Sequence, residues 1–266
     1  MKRCFLLLTF LISLSALIFS SIKIIDWIND NKKTDEQIKK IQGFVDVSEI
    51  VDNNKVELVN QAATTSIDNP YWDYIKFNLI NVDINKLKAV NNDTIGWIKV
   101  NGTNINYPFM QTNNNDYYLY HSFNKEWNYA GWIFLDYRND INEFNRNNII
   151  YGHGRNDGTM FGSLKNVLSK NWLNNSDNFI IRLSRESDNT LWQIFSVYHI
   201  PTTNDYTQVN FSDDEFLDFI DLITKRSFYN FNTIVNEKDK ILTLSTCLNN
   251  SDKVVVHAKL IKIEKK

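Results

Sequence analysis

The feature of this sequence that most constrains its fold is a series of short runs rich in β-branched and aromatic residues. Asn, Asp and Gly separate these runs, which is typical of strands joined by turns. The runs are TIGWIKV, INYPFMQ, AGWIFLDY, NNIIYGH, NFIIRLS, TLWQIFSVYHI, KILTLSTC and KVVVHAKLIKI. This many short strands within about 170 residues predict a mostly β domain, either a barrel or a sandwich.

Spaced apolar residues predict helices around and between these strands. NPYWDYIKFN and DINKLKAVNNDT precede the first strand, and GTMFGSLKNVLSK follows the fourth. SDDEFLDFIDLITKRSF starts with Ser212 and acidic residues and ends near Lys225 and Arg226, as the helix dipole favours. This last segment predicts a helix at about 212–228.

The N-terminus combines a basic start with a long apolar run. Lys2 and Arg3 precede an uncharged stretch from Phe5 to Ile22, which is long enough to span a membrane. A secretory signal has a shorter apolar region, and ALIFSS is a weak cleavage site. We therefore expect an uncleaved signal anchor, with a cleaved signal peptide as the alternative. The basic residues favour a cytoplasmic N-terminus and an exported remainder.

The length of 266 residues suits one catalytic domain with appendages. We predict an anchor over 1–25, a helical juxtamembrane linker over 26–68 and a catalytic domain over 69–266. A net charge of -2 argues against attraction to nucleic acid. The sequence has no Cys and His cluster with metal-ligand spacing and no phosphate-binding glycine loop, so we expect no cofactor.

The chain has two cysteines, Cys4 at the membrane edge and Cys247 in the exported part. They cannot pair, so Cys247 is a lone thiol, either a buried packing residue or a nucleophile. Strand alternation puts Leu242 and Leu244 on one face and Ser245 on the face of Cys247. A position at the strand end on the less apolar face leaves the sulfur accessible, which favours the nucleophile.

A reactive thiol needs a base or a cation nearby. Of four histidines, His153 is the best candidate because Gly152 and Gly154 flank it where a strand enters a turn. A structural histidine is the alternative. His257 lies about 13 Å along the strand from Lys253, too far to serve the same atom. Asn249 is either a polar loop residue or a hydrogen-bonding partner of the site.

The sequence resembles a sortase of class B in three features. These are TLSTC, the YGHG segment about 95 residues earlier and a basic residue that opens the last strand. Sortases are membrane-anchored cysteine transpeptidases of Gram-positive bacteria. The resemblance covers about 70–263 and includes DTIGWIKVNGTNINYPFMQTNNNDYYLYHSF and YGHGRNDGTMFGSLKNV. It implies an eight-stranded β-barrel with N-terminal helices and a helix between the two strands preceding the cysteine.

The resemblance also implies the site residues. Cys247 corresponds to the nucleophile and His153 to the general acid/base, while Ser245 and Thr246 are candidate substrate-binding residues. The family has an arginine at the start of the last strand, and Lys253 occupies that position here. Lysine is a compact point charge and lacks the planar fork of a guanidinium. Lys253 is expected to act as a weaker substitute, and Arg155 reaching into the site or very low activity are the alternatives.

The implied function is acyl transfer at the cell surface. The enzyme would cleave an NPxTx-like sorting motif of secreted proteins through a Cys thioester and pass the product to a peptidoglycan amine. A pilus-polymerising sortase and a catalytically silent, membrane-tethered peptide-binding module are the alternatives. The implied partners are the sorting peptide, the cell-wall amine and, through the N-terminal helix, the membrane.

Overall fold

The computed structural model describes residues 2–50, 55–59, 70–247 and 251–266, except for the side chain of Cys4. The helices are α1 (Lys2–Phe44), α2 (Tyr71–Tyr74), α3 (Ile84–Val90), α4 (Lys170–Leu173) and α5 (Asp213–Lys225). The strands are β1 (Ser48–Ile50), β2 (Val56–Leu58), β3 (Leu79–Asn81), β4 (Thr94–Val100), β5 (Asn106–Met110), β6 (Phe134–Leu135), β7 (Asn147–Tyr151), β8 (Ile180–Arg185), β9 (Asp188–Pro201), β10 (Ile241–Cys247) and β11 (Asp252–Lys265).

Eight strands of the described chain, β4 to β11, close into a barrel. Their order is β10-β7-β6-β5-β4-β8-β9-β11, and β11 pairs with β10 to complete the circle. The β10–β7 and β5–β6 pairs are parallel, and the others are antiparallel. Each strand overlaps one of the eight predicted runs, so the barrel is confirmed and the sandwich is wrong.

The alternating residues of β10 divide between two cores, as the pattern predicts. Leu242 and Leu244 pack inside the barrel, while Ile241 packs on the outer face beneath α5. α5 lies between β9 and β10 along the chain, as expected, and presents Phe216 and Ile223 to that face. A capping box starts α5, because the Ser212 side chain accepts from the Glu215 backbone and Glu215 reaches back to the Ser212 amide.

α1 runs without a break from the apolar N-terminal segment onto the barrel. Within the described residues it is the one helix long and apolar enough to cross a membrane. Every described side chain in its first 28 positions is exposed, whereas the side chains of Thr34, Ile38 and Ile41 are buried against the domain. Asn128 donates a hydrogen bond of 3.0 Å to the Thr34 hydroxyl. The division into anchor, linker and catalytic domain stays a prediction.

Two helix predictions are wrong in part. Within the described residues of 26–68, the linker is helical to Phe44, after which β1 pairs with β3 and β2 pairs with the free edge of β11. These strands depend on distant partners, so a local pattern of spaced apolar residues could not reveal them. GTMFGSLKNVLSK forms a 3₁₀ helix, Gly162–Leu168, followed by α4. Ser169 is extended between them and caps α4 by accepting from the Trp172 amide.

Candidate active site

The parallel pair β7 and β10 brings the two main candidates to one edge of the barrel. Ser245 lies opposite Tyr151 in the register of these strands. Two residues further along each chain, Cys247 ends β10 and His153 lies in the turn after β7. Neighbouring strands are about 4.8 Å apart, so strand pairing brings the backbones of these two residues to the same end of the strand pair.

Gly154 permits a very close approach between the His153 turn and the end of β10. A Cβ atom at position 154 would lie 1.7 Å from the backbone oxygen of Cys247, a distance that no side chain can accept. The Thr246 hydroxyl donates a hydrogen bond of 2.7 Å to the Gly152 carbonyl and ties the same turn to β10. Thr246 is buried, so its hydroxyl serves to hold the turn in place.

The main chain fixes the tautomer of His153. Its Nε2 atom lies 2.8 Å from the carbonyl oxygen of Leu119, which can only accept a hydrogen bond. The Nε2 atom therefore carries the proton, and Nδ1 keeps a lone pair. Burial lowers the pKa of His153, the nearby charges of Arg155 and Lys253 lower it further, and the Leu119 hydrogen bond partly opposes them. The ring is thus predominantly neutral at pH 7.

Cys247 is a free, half-buried thiol with a lysine beside it. Lys253 is its direct cross-strand partner in the β10–β11 pair, so the two side chains point to the same face. The Lys253 Nζ atom lies 3.0 Å from Sγ of Cys247. An ammonium group at this distance pairs with a thiolate directly. Cys247 thus has the histidine strand on one side and the lysine strand on the other.

A cleft of about 660 Å³ opens over these residues. His153, Cys247 and Lys253 line it together with Ser245 and Thr246, the two predicted substrate-binding residues. The connection from β9 to α5 forms one wall with Thr202, Thr203, Asn204, Tyr206 and Thr207. The five residues predicted as the site therefore share one open cavity.

Ser245 is already hydrogen bonded within the protein. Its hydroxyl lies 2.9 Å from the phenol oxygen of Tyr206, which belongs to the cleft wall. Either group can donate, so this pair leaves hydrogen-bonding capacity for a peptide. No local sequence pattern singles out Tyr206, because it meets β10 from a loop 39 residues away along the chain.

The guanidinium that lines the cleft belongs to Arg138, which the sequence reasoning missed. Arg138 makes two hydrogen bonds of 2.8 and 2.7 Å to the buried carboxylate of Asp136. Its Nη2 atom also donates to the Thr207 carbonyl in the cleft wall at 2.8 Å. Arg155, the arginine proposed as an alternative, instead contacts Asp157, Thr159 and Asn31. In the described chain the cation at the sulfur is Lys253.

The other histidines have structural partners. His257 is fully buried between Thr243 and Tyr198, each 2.8 Å from one ring nitrogen, and burial lowers its pKa to about 3. His121 stacks on Tyr117, and His199 packs against Phe228. Asn249 lies outside the described residues. Among the described residues there is no group of three or more His, Cys, Asp or Glu placed to hold a metal ion.

A family model described as the sortase domain matches residues 98–261, which include His153, Cys247 and Lys253. The chain belongs to the sortase family. Sortases are cysteine transpeptidases, so this protein is an enzyme that transfers acyl groups.

Similar proteins place this sortase in class B. It is 35% identical to the sortase B of Listeria monocytogenes over 219 residues, which are 80% of this chain and 84% of that protein. It is 36% identical to the sortase B of Staphylococcus aureus over 182 residues, which are 66% of this chain and 74% of that protein. A solved structure of the Staphylococcus aureus sortase B–substrate complex superposes with a TM-score of 0.63 at 36% identity, covering 67% of this chain and 84% of that one.

Proposed function

We propose that this sortase cleaves an NPxTx-like sorting motif of secreted proteins and transfers them to a peptidoglycan amine. The observation that carries the proposal is the position of Cys247 in an open cleft, between the neutral imidazole of His153 and the ammonium of Lys253. That a substrate complex of the similar Staphylococcus aureus sortase B has been solved supports substrate binding by this enzyme.

Acylation starts with attack of the Cys247 sulfur on the carbonyl carbon of the motif threonine. The lone pair on Nδ1 of His153 accepts the thiol proton, and the resulting imidazolium gives it to the departing amine. The Leu119 carbonyl stays hydrogen bonded to Nε2–H in both states, so the ring does not need to rotate between the two transfers. The products are a thioester on Cys247 and a free amine.

The second half-reaction reverses the proton movements. A neutral amine attacks the thioester carbon, and Nδ1 of His153 takes the proton that the amine loses. The thiolate of Cys247 leaves next to the Lys253 ammonium, 3.0 Å away, which stabilises the leaving charge. The His153 imidazolium then returns its proton to the sulfur, which restores the thiol and the neutral ring. The acceptor proposed is an amino group of a cell-wall peptide.

Lys253 has a second role in this proposal. Negative charge develops on the former carbonyl oxygen in both tetrahedral intermediates, and the ammonium beside Sγ can stabilise it electrostatically. Ser245 is proposed to bind the peptide with the hydrogen-bonding capacity that Tyr206 leaves free. Thr246 is proposed to act indirectly, by holding the His153 turn through Gly152.

We further propose that α1 anchors the enzyme in the cell membrane with its N-terminus in the cytoplasm. The apolar first half of α1 and the basic Lys2 and Arg3 before it support this orientation. The catalytic domain is then extracellular, where secreted proteins and cell-wall amines are both present.

Incubation of the full chain with a panel of sorting-motif peptides and a small amine tests this function. Mass spectrometry should detect the N-terminal fragment joined to the added amine, and NPxTx-like peptides should be processed fastest. Preference for a pilin lysine side chain over a wall peptide would instead favour the pilus-polymerising alternative. Failure to cleave any peptide of the panel would favour the silent binding module.

A further inference from the structure

The continuous helix α1 sets the height of the catalytic domain above the membrane. A hydrocarbon core about 30 Å thick takes about 20 helical residues, which corresponds to Phe5–Ile24. At a rise of about 1.5 Å per residue, Asn31 lies about 10 Å beyond that core and Thr34 about 15 Å beyond it. The polar interface of a bilayer occupies about 5–7 Å of this distance. The domain that docks on α1 therefore starts close to the headgroups.

The first contacts along α1 show which part of the domain faces the membrane. The Arg155 guanidinium donates to the side chain of Asn31, and Asn128 donates to Thr34. The next polar contact, from Gln42 to the Asn106 carbonyl, lies further from the membrane. The membrane-proximal edge is therefore formed by two loops, residues 120–131 and 153–160.

The first of these loops exposes a cluster of aromatic side chains, Tyr120, Trp127 and Tyr129. Their exposed fractions are 44%, 61% and 53%. Tyr120 stacks on Trp127 with 5.4 Å between ring centroids, and Tyr129 meets Trp127 edge to face at 5.9 Å. Tryptophan and tyrosine are the side chains enriched at membrane interfaces, because the ring is apolar and its polar group stays hydrated.

We propose that the cluster of Tyr120, Trp127 and Tyr129 inserts into the outer interface of the bilayer and holds the catalytic cleft at the membrane surface. Both loops adjoin the cleft without these aromatic side chains lining it, because Leu119, which lines the cleft, precedes the first loop and His153 opens the second. The enzyme would then favour peptides that are still tethered to the membrane over free ones. This inference rests on the proposed membrane anchor.

Quenching of tryptophan fluorescence by lipids brominated near the headgroup end of the acyl chain tests the insertion. The full chain in liposomes has seven tryptophans, of which Trp27 on α1 and Trp127 are expected within reach of the bromines. Trp127→Phe should remove roughly half of the quenched signal. Trp72→Phe, a partly exposed control on α2, should leave the quenching unchanged.

The Trp27→Phe variant separates this inference from the anchor. If Trp27→Phe lowers the quenching and Trp127→Phe does not, the anchor stands and the docking of the aromatic cluster is wrong. If neither variant lowers it, the helix is not inserted and both proposals are wrong.

Activity on two forms of one substrate gives an independent test. The double variant Trp127→Ser/Tyr129→Ser should cleave a lipid-tethered peptide about tenfold more slowly or worse, and it should cleave the free peptide at the parent rate. The reason is that membrane docking raises the effective concentration of the tethered substrate only. Phe228→Ser, at a residue 56% exposed outside both loops, is the matched control and should slow neither reaction. An equal loss on both substrates in the double variant would contradict the proposal.

Discussion

The neutral form of His153 is maintained by its surroundings. Burial lowers its pKa, as do the positive charges of Arg155 and Lys253, while the Leu119 carbonyl alone favours the charged ring. The unfolded chain therefore binds more protons than the native one as the pH falls through the ordinary value of 6.5. The stability that the neutral ring contributes is present above that pH and is lost as the solution becomes more acidic.

The lowered pKa of His153 also determines where the catalytic rate falls on the acid side of the pH profile. The acid-side midpoint of kcat/KM should lie below pH 6.5, because protonation of free His153 removes the base. Arg155→Gln should move this midpoint to higher pH, whereas Arg155→Lys retains the charge and should preserve it. Cleavage rates of a fluorogenic peptide, measured across pH, give the midpoint of the parent enzyme and of each variant. A midpoint above 6.5 in the parent enzyme would contradict the assignment.

Lys253, the residue expected to replace the family arginine, contacts the sulfur directly. Lys253→Met should lower kcat by about 10²-fold, the usual cost of removing one group that stabilises the oxyanion. Lys253→Arg should keep or raise the rate, because a guanidinium offers more donors. Lys265→Met, an exposed residue of the same strand, is the control. A large loss on Lys253→Arg would show that the site is shaped around lysine.

At the scale of elements, the site depends on how closely the turn after β7 approaches the end of β10. Gly154 permits this contact, and the Thr246 hydroxyl fixes it through Gly152. The parallel register then aligns His153 with Cys247. The proposed catalytic pair is thus positioned mainly by backbone geometry.

Gly154→Ala should abolish detectable cleavage, because the new Cβ would overlap the Cys247 carbonyl and push the His153 turn away. Gly43→Ala is the matched control, since a Cβ there has no atom within 4 Å. Peptide cleavage and circular dichroism should be measured together. Full activity in the Gly154→Ala enzyme would contradict the close approach described.

Elements with a strong local pattern could be predicted from the sequence. The eight barrel strands are β-branched and aromatic runs between turn residues, and α5 carries a capping box at Ser212. β1 and β2 could not be predicted, because their formation depends on pairing with β3 and β11. Local pattern describes what a segment prefers by itself, and tertiary pairing overrides it at strand edges.

At the scale of the whole molecule, barrel closure decides which distant residues meet. Pairing of β10 with both β7 and β11 brings together the strands of His153, Cys247 and Lys253, which the resemblance to the sortases identifies from the sequence. Leu119, Tyr206 and Arg138 reach the cleft from loops that carry no local signal. Their contributions follow from the three-dimensional path of the chain and could not be read from the sequence.

In the proposed reaction, the sulfur of Cys247 carries the acyl group between donor and acceptor. Intact-mass spectrometry of the full chain, quenched with acid during turnover of a sorting-motif peptide without added amine, tests it most directly. We expect an adduct with the mass of the N-terminal fragment, located after digestion on the peptide containing Cys247 and released by hydroxylamine, and neither adduct nor cleavage in Cys247→Ala. Cleavage by Cys247→Ala at the parent rate, or an adduct on another residue, would contradict it.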